Sequence, residues 1–277
     1  MKLEAGMTAL VTGASRGMGT HIVHSLAQRG LNLVLAARSA EGLDAVAAGL
    51  GSGYGGRVLA VPTDMADEGA LKALAETALR EFGGVDVLVN NAGIESARSY
   101  EQTEPAELRQ MIEVNLLAPM LLTRLLLPGM LARGRGHIVN IASMAGLIGT
   151  AYEEPYNASK FGLVGFTRGL RLTAQDSGWP VSASVICPGF MSGVGMFADM
   201  EKQHAVSAPK LVGTVPAERL GPAVIEAIEK DLPDSILMKG TPRLNVAMSV
   251  LAPRFFEKLV RWLNLAGAFR TAAKGTR

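Results

Sequence analysis

Tyr156-Asn157-Ala158-Ser159-Lys160 sets a phenol and an ammonium four residues apart. On a helix that spacing puts both groups on one face, a turn apart, so they can act on one object. A free phenol titrates near pH ~10, too high for a proton shuttle at neutral pH. A fixed cation nearby favours the phenolate and moves the group toward acid–base work. Tyr-x-x-x-Lys also occurs on ordinary surface helices. It gains meaning only if the chain supplies something to protonate and something to deliver electrons.

Ser143 follows the apolar run Ile138–Ile141, thirteen residues before Tyr156. A hydroxyl at the carboxyl end of a central strand faces the place where doubly wound sheets bind ligands. The intervening length allows a loop and a helix start, so Ser143 and Tyr156 can meet at one carbonyl oxygen. Asn115 interrupts the apolar run Val114-Asn115-Leu116-Leu117. A buried amide needs partners. It is either a satisfied core residue or the holder of a water and a helix carbonyl for proton relay.

These groups must be positioned by strands and helices. Short β-branched runs lie at Thr8–Val11, Asn32–Ala36, Val58–Val61, Val85–Val89, Ile138–Ile141, Val181–Ile186 and Ser235–Met238. Near-continuous apolar runs suit strands covered on both faces. Amphipathic segments alternate with them: Gly19–Arg29, Ala40–Gly49, Glu68–Phe82, Pro105–Ala132, Pro155–Ser177 and Pro216–Lys230. The alternation predicts an α/β fold: one doubly wound parallel sheet of Rossmann type, helices on both faces, and a C-terminal helical extension. The glycine cluster Gly51–Gly56 reads as a surface turn. The expected organisation is residues 1–238 as the catalytic and cofactor-binding domain and 239–277 as a basic amphipathic extension.

The first strand runs into Thr12-Gly13-Ala14-Ser15-Arg16-Gly17-Met18-Gly19, and a helical pattern follows. Glycines there permit a tight turn and close backbone approach to a pyrophosphate, and the helix N-terminus offers free N–H groups. The spacing is G-x-x-x-G-x-G rather than the usual dinucleotide fingerprint. The second strand ends Ala36-Ala37-Arg38, without the carboxylate that would bind a ribose 2′-hydroxyl. Arg16 and Arg38 instead suit a 2′-phosphate, which favours NADP over NAD. Asp64 ends the third strand, either to accept from an adenine amino group or to cap the next helix, with Asp67 competing for the cap. Asn90-Asn91-Ala92-Gly93 lets the backbone approach a ligand and lets amides tie strands together. Pro188-Gly189 turns the chain beyond the sixth strand. The following segment, Phe190 to Val215, has little periodicity and reads as a mobile flap, with Met191, Met196, Phe197 and Met200 as an apolar lining. Cys187, the single cysteine, reads as a packing residue.

Taken together, Gly13/Gly17/Gly19, Asn90-Asn91-Ala92-Gly93, Asn115, Ser143, Tyr156/Lys160 and Pro188-Gly189 closely resemble the short-chain dehydrogenase/reductase family over residues 7–238. The resemblance implies a nicotinamide cofactor and interconversion of carbonyl and alcohol. Tyr156 would be the general acid in reduction and the base in oxidation. Lys160 would lower the phenol pKa and bind the nicotinamide ribose, Ser143 would hold the substrate oxygen, and Asn115 would anchor a relay water. The implied cofactor contacts are Gly13, Ser15, Arg16, Gly17, Met18, Gly19, Arg38, Asp64, Met65, Asn91, Ala92, Gly93, Tyr156, Lys160, Pro188, Gly189 and Met191, in the NADP-preferring pattern. Dimers and tetramers are usual for the family. It often has a Thr at the position of Gly193, so ring anchoring departs here, with Ser192 as the nearest substitute. A non-catalytic NADP-binding regulator and an epimerase or dehydratase using the same tyrosine are the alternative readings; all four catalytic-type residues argue against the regulator.

The 277 residues carry a net charge of +2, 48% hydrophobic residues and one cysteine, which excludes an intrachain disulfide. The apolar stretch Val114–Met130 is broken by Asn115, Pro119, Arg124 and Pro128, so no transmembrane helix is expected. With no secretory pattern at the N-terminus, the expectation is a soluble cytoplasmic protein. Lys239 onward holds eight basic residues and one acidic one, a balance of +7 on a body of −5. Phe255, Leu259, Trp262, Phe256 and Leu263 form an apolar stripe and Arg254, Lys258 and Arg261 a basic one. That pattern predicts a helix packed on the body or on another subunit; contact with an anionic membrane surface is the second reading. Nucleic-acid binding is not expected, because the charge forms one tail without stacking aromatics. The Met-rich flap leans toward a small-molecule carbonyl or alcohol that is apolar and bulky, such as a long-chain acyl, sterol-like or aryl ketone.

Overall fold

All seven apolar runs become strands of one parallel sheet in the computed structural model, which describes residues 1–51, 53–209 and 212–275. Ser52, Lys210, Leu211, Thr276 and Arg277, which fall in the expected glycine-rich turn, flap and tail, lie outside the described residues. The strands are β1 (Thr8–Thr12), β2 (Asn32–Ala37), β3 (Val58–Pro62), β4 (Val87–Asn90), β5 (Gly136–Ile141), β6 (Val181–Pro188) and β9 (Asp234–Leu237). Their order is β3-β2-β1-β4-β5-β6-β9. The chain reverses direction across the sheet between β1 and β4, which opens a crevice at their carboxyl ends. A short parallel pair, β7 (Met191–Ser192) and β8 (Val215–Pro216), stands apart from the sheet.

Side-chain alternation along β1 feeds two cores. Ala9 and Val11 pack with α1 (Met18–Ala27), α2 (Ala40–Gly49) and α8 (Leu220–Glu229). Leu10 packs on the other face with α3 (Glu68–Phe82) and the long helical run Pro105–Ala132. That run consists of α4 (Pro105–Ile112), a π-helical turn at Glu113–Leu117 and α5 (Ala118–Ala132). Contrary to the expectation from its polar breaks, it is long and apolar enough to cross a membrane by length and composition. It nevertheless packs Leu122, Leu126 and Met130 into the core, as a core helix does. The next helix, α6 (Glu154–Asp176), carries the Tyr156–Lys160 pair and buries Leu163 and Val164 against Val185 and Cys187 of β6.

The expected flap carries regular structure in its first half. It contains α7 (Met196–His204), flanked by Gly195 at φ 98° and Ala205 at φ 52°. The C-terminal extension forms α9 (Pro242–Leu251), α10 (Pro253–Trp262) and α11 (Gly267–Gly275). Phe269 of α11 packs with Phe197 and Met200 of α7, with Phe190 at 4.4 Å from Phe197 and 5.9 Å from Phe269 between ring centres. Extension and flap thus brace each other over the crevice.

Candidate active site

The glycine loop fits the pyrophosphate cradle expected of it. Gly13 and Gly17 take φ of 64° and 63°, where a side chain is strained. A Cβ on Gly19 would stand 2.1 Å from the Gly13 carbonyl oxygen. Gly17 caps α1 without any side-chain bond, and no acidic residue sits in the first turn, so its N–H groups remain available for an anion. Thr12 steadies the loop: its hydroxyl accepts from Asn91 N–H and Ala92 N–H, both at 3.0 Å. Asn91 Nδ2 donates to the carbonyls of Thr12 and Gly13, while its buried Oδ1 has no partner among the described residues. A polar atom left free beside a tight glycine loop suits a ligand in the crevice.

The cofactor-end residues separate by position. Ser15 packs against Gly42 at the start of α2. Arg38 is exposed with no ion pair among the described residues, whereas Arg16 lies 3.7 Å from Asp199 of α7. Asp67, not Asp64, caps α3, accepting from Gly69 and Ala70 N–H; exposed Asp64 accepts from Ala66 N–H at 3.0 Å. The Met65 side chain is buried in the core and does not line the cavity described below.

The expected catalytic groups converge. Tyr156, Lys160 and Ser143 line one cavity of about 430 Å³, together with Met18, Asn91, Gly93, Pro188, Gly189 and Met191. Ser143 stands two residues beyond β5 and caps the turn Met144–Gly146, its Oγ accepting from Ala145 N–H at 3.1 Å, and its hydroxyl pulls the pKa of the Tyr156 phenol down. Buried Lys160 donates from Nζ to the Ile141 carbonyl at 3.0 Å. Asn115 sits fully buried in the π turn, a helix defect common at functional sites. Its Oδ1 accepts from Ile94 N–H at 2.8 Å, and its Nδ2 donates to the Ile94 carbonyl at 2.8 Å and to Ser159 Oγ at 3.1 Å. Its amide therefore pins the chain after Gly93 to α6. Asn90 donates to Asn140 and Asn140 to Thr167, each at 2.8 Å, which ties β4, β5 and α6 together.

The lowering of the phenol expected from Lys160 is outweighed in this site, where the ammonium donates to the Ile141 carbonyl and stands 5.6 Å from the ring centre. Burial, then the charges of Glu95 and Glu153, push Tyr156 well above the usual phenol range, against the pull of the Ser143 hydroxyl. Burial pushes Lys160 down to about 8. Cys187 is pushed up to about 12 by burial, which agrees with a packing role.

Glu95 and Glu153 are the site residues that sequence reasoning missed. Both border the same cavity as Tyr156. Burial first, then the charge of Glu153, pushes Glu95 up to about 8, while Lys160 pulls it down. Burial likewise pushes Glu153 up to about 7, although the Thr150 hydroxyl donates to it at 2.7 Å. A carboxyl raised on folding favours the folded state fully only below its ordinary value; that contribution is lost as pH rises from 4.5 through about 8. Glu95→Gln is therefore expected to melt about 3 °C or more above the parent at pH 9, with the gap closing by pH ~5. Thermal melts across that range check this, and a gap independent of pH refutes it.

The remaining walls are apolar: Phe190, Met196 and Phe197 from the flap, and Phe256, Val260, Leu263 and Phe269 from the extension. Met200, expected to line the pocket, instead packs behind Phe197 in the aromatic cluster. Gly193 takes φ 89°, a conformation that a Thr would adopt only with strain, so the departure at this position is set by the backbone.

Comparison with known proteins agrees with this construction. The short chain dehydrogenase family model matches residues 7–205. Ketoacyl reductase HetN of Nostoc sp. (strain PCC 7120) is 38% identical over 270 residues, covering 96% of this chain and 92% of that protein. A metagenomic short-chain oxidoreductase solved with NADP is 32% identical with a TM-score of 0.71, covering 85% of this chain and 98% of that one. A short-chain dehydrogenase/reductase from Burkholderia phymatum solved with NAD is 26% identical with a TM-score of 0.77, covering 95% and 97%. With sheet order, glycine loop and Ser–Tyr–Lys cavity already in hand, these likenesses show that the chain belongs to the short-chain dehydrogenase/reductase family, NAD(P)-using oxidoreductases of carbonyl and alcohol groups.

Proposed function

We propose that the chain is an NADP(H)-dependent reductase that interconverts a ketone or aldehyde and an alcohol on an apolar substrate. The observation that carries this reading is the convergence of Ser143, Tyr156 and Lys160 on one largely apolar cavity. The nicotinamide, when bound, supplies or takes the hydride. Ser143 and Tyr156 hydrogen-bond the carbonyl oxygen, where negative charge grows as the carbonyl is reduced. Raised above its usual range, the Tyr156 phenol keeps its proton through neutral pH and gives it to that oxygen. In the oxidative direction the same group, as its phenolate, takes the alcohol proton. Lys160 holds positive charge near the ring, and the π turn at Asn115 is the proposed seat of a relay water. HetN is named a ketoacyl reductase, and a long-chain acyl, sterol-like or aryl ketone suits the lining of Phe190, Met196 and Phe197.

Gly13, Ser15, Gly17, Met18 and Gly19 would hold the pyrophosphate, and Arg38 with Arg16 the 2′-phosphate. With no carboxylate at the end of β2, Arg38 is the freer cation. Arg38→Asp is expected to lower the NADPH-over-NADH preference in kcat/KM by ~10²-fold, about 2.7 kcal/mol. An unchanged ratio would reject the assignment. The reading as a whole is tested by oxidation of NADPH, with NADH alongside, over ketones of graded size. Turnover supports it, and cofactor binding without turnover of good substrates points to a regulator.

A homodimer or homotetramer belongs to the same proposal. Leu117, Met120 and Leu125 on the α4–α5 run and Phe161 and Leu172 on α6 present large apolar side chains to solvent. A reducing, cytoplasmic setting is proposed on the free, buried Cys187.

A further inference from the structure

The C-terminal extension divides its apolar residues between two opposite tasks. Phe256, Val260 and Leu263 of α10 and its end line the substrate cavity. Phe255 and Trp262, on the same helix, remain 59% and 80% exposed. The preceding α9 leaves Leu244, Val250 and Leu251 at 61%, 70% and 84% exposed. At 100° per residue, Phe255 and Trp262 fall between the cavity-facing edge of α10 and an edge bearing Arg254, Lys258 and Arg261. A helix that packs inward needs only one apolar edge. This one has a second, unsatisfied edge bordered by cations.

We infer that α9 and α10 form a docking surface for an anionic lipid bilayer, with Phe255 and Trp262 entering the headgroup–acyl boundary and Arg254, Lys258 and Arg261 at the phosphates. Charge selects this occupant. The extension carries +7 on a body of −5, so an anionic surface attracts this end of the molecule and repels the other. Exposed Trp and Phe beside Arg and Lys are the side chains that interfacial helices use. A symmetric contact with a second copy would set three cations against three, with only Glu257 on α10 to offset them. Because the inner edge of α10 is cavity wall, a lipid-dissolved carbonyl compound would reach the cavity from the bilayer side. That last clause rests on the reductase reading; the docking itself does not.

The test is flotation of the full chain with phosphatidylcholine vesicles and with vesicles containing phosphatidylglycerol. Point variants are preferable to truncation, since removing the extension removes cavity wall. The expected result is at least tenfold more flotation with the anionic vesicles, largely lost at high salt. F255E/W262E should lose flotation at least tenfold, and K258E/R261E should lose the preference for anionic vesicles. Neither pair lines the cavity, so turnover of a small water-soluble ketone should stay within twofold, while turnover of a vesicle-dissolved long-chain ketone falls about tenfold in F255E/W262E. Equal flotation by parent and variants overturns the proposal. So does a change of oligomeric state by sedimentation in F255E/W262E without loss of flotation, which would assign the face to a second copy. If flotation behaves as expected and no ketone is turned over, the docking stands and the reductase reading fails.

Discussion

Tyr156→Phe is expected to reduce turnover of any carbonyl substrate by ~10²–10⁴-fold while leaving NADPH affinity within about twofold. The substitution removes one oxygen. The ring stays in its buried slot, so its packing against Met111 of α4 and Ala145 is preserved. What is lost is the only phenol among the described residues that line the cavity, together with its interaction with the Ser143 hydroxyl. The proton donor and one of the two stabilisers of the developing oxyanion disappear together, and effects of groups that act as a unit are not additive. Tyr156→Phe with Ser143→Ala should therefore be little worse than Tyr156→Phe alone. Steady-state kinetics with cofactor titration checks both statements. A Phe variant near the parental rate would show that another acid serves, and Glu95, which holds a proton through neutral pH, would be the first to examine.

Gly19→Ala is the second large effect. A Cβ there meets the Gly13 carbonyl oxygen at 2.1 Å, its carbon at 2.9 Å and Asn91 Nδ2 at 3.0 Å. Two of these are backbone atoms, and the third, Asn91 Nδ2, ends a side chain held in place by its bonds to the Thr12 and Gly13 carbonyls. The loop has to move away from α1, and the N–H groups at the helix start no longer converge with it on one phosphate. A displacement of ~1 Å at a positioning element can cost ~10²-fold, so NADPH affinity should fall by at least that factor. The control is Gly165→Ala in α6, where nothing lies within 4 Å and Ala is the better helix former. Fluorescence titration with NADPH on both variants measures the difference. Equal affinities would remove the glycine loop from the cofactor site.

Much of this was legible because it depends on local pattern. Alternating apolar runs and amphipathic segments gave the seven parallel strands, and the glycines at 13, 17 and 19 announced backbone that side chains would obstruct. Tyr156 and Lys160 share a helix face, so their proximity needed only the period of a helix. Less legible features arise from contacts between distant residues. The π turn is held by Asn115 clamping both backbone groups of Ile94, twenty-one residues away. Helix α7 has only nine residues and leans on α11, so its own periodicity was too short to read. The Tyr156 environment was misjudged because the sequence shows Lys160 beside it but not the burial that outweighs a cation, nor the carboxyls of Glu95 and Glu153. A glutamate two residues after Asn91-Ala92-Gly93, close to a ligand loop, was the available signal for Glu95. The tail's stripes were seen correctly, but only the fold separates the edge turned to the cavity from the edge left free.

The most direct measurement of the central claim is the fate of the hydride. NADPH carrying deuterium at both C4 positions should be incubated with the best ketone from the graded panel and the alcohol examined by mass spectrometry. The account predicts one deuterium on the carbinol carbon, formed by the parent and slowed by ~10²–10⁴-fold in Tyr156→Phe. An alcohol without label, or labelled alcohol formed as quickly without the Tyr156 phenol, would contradict it.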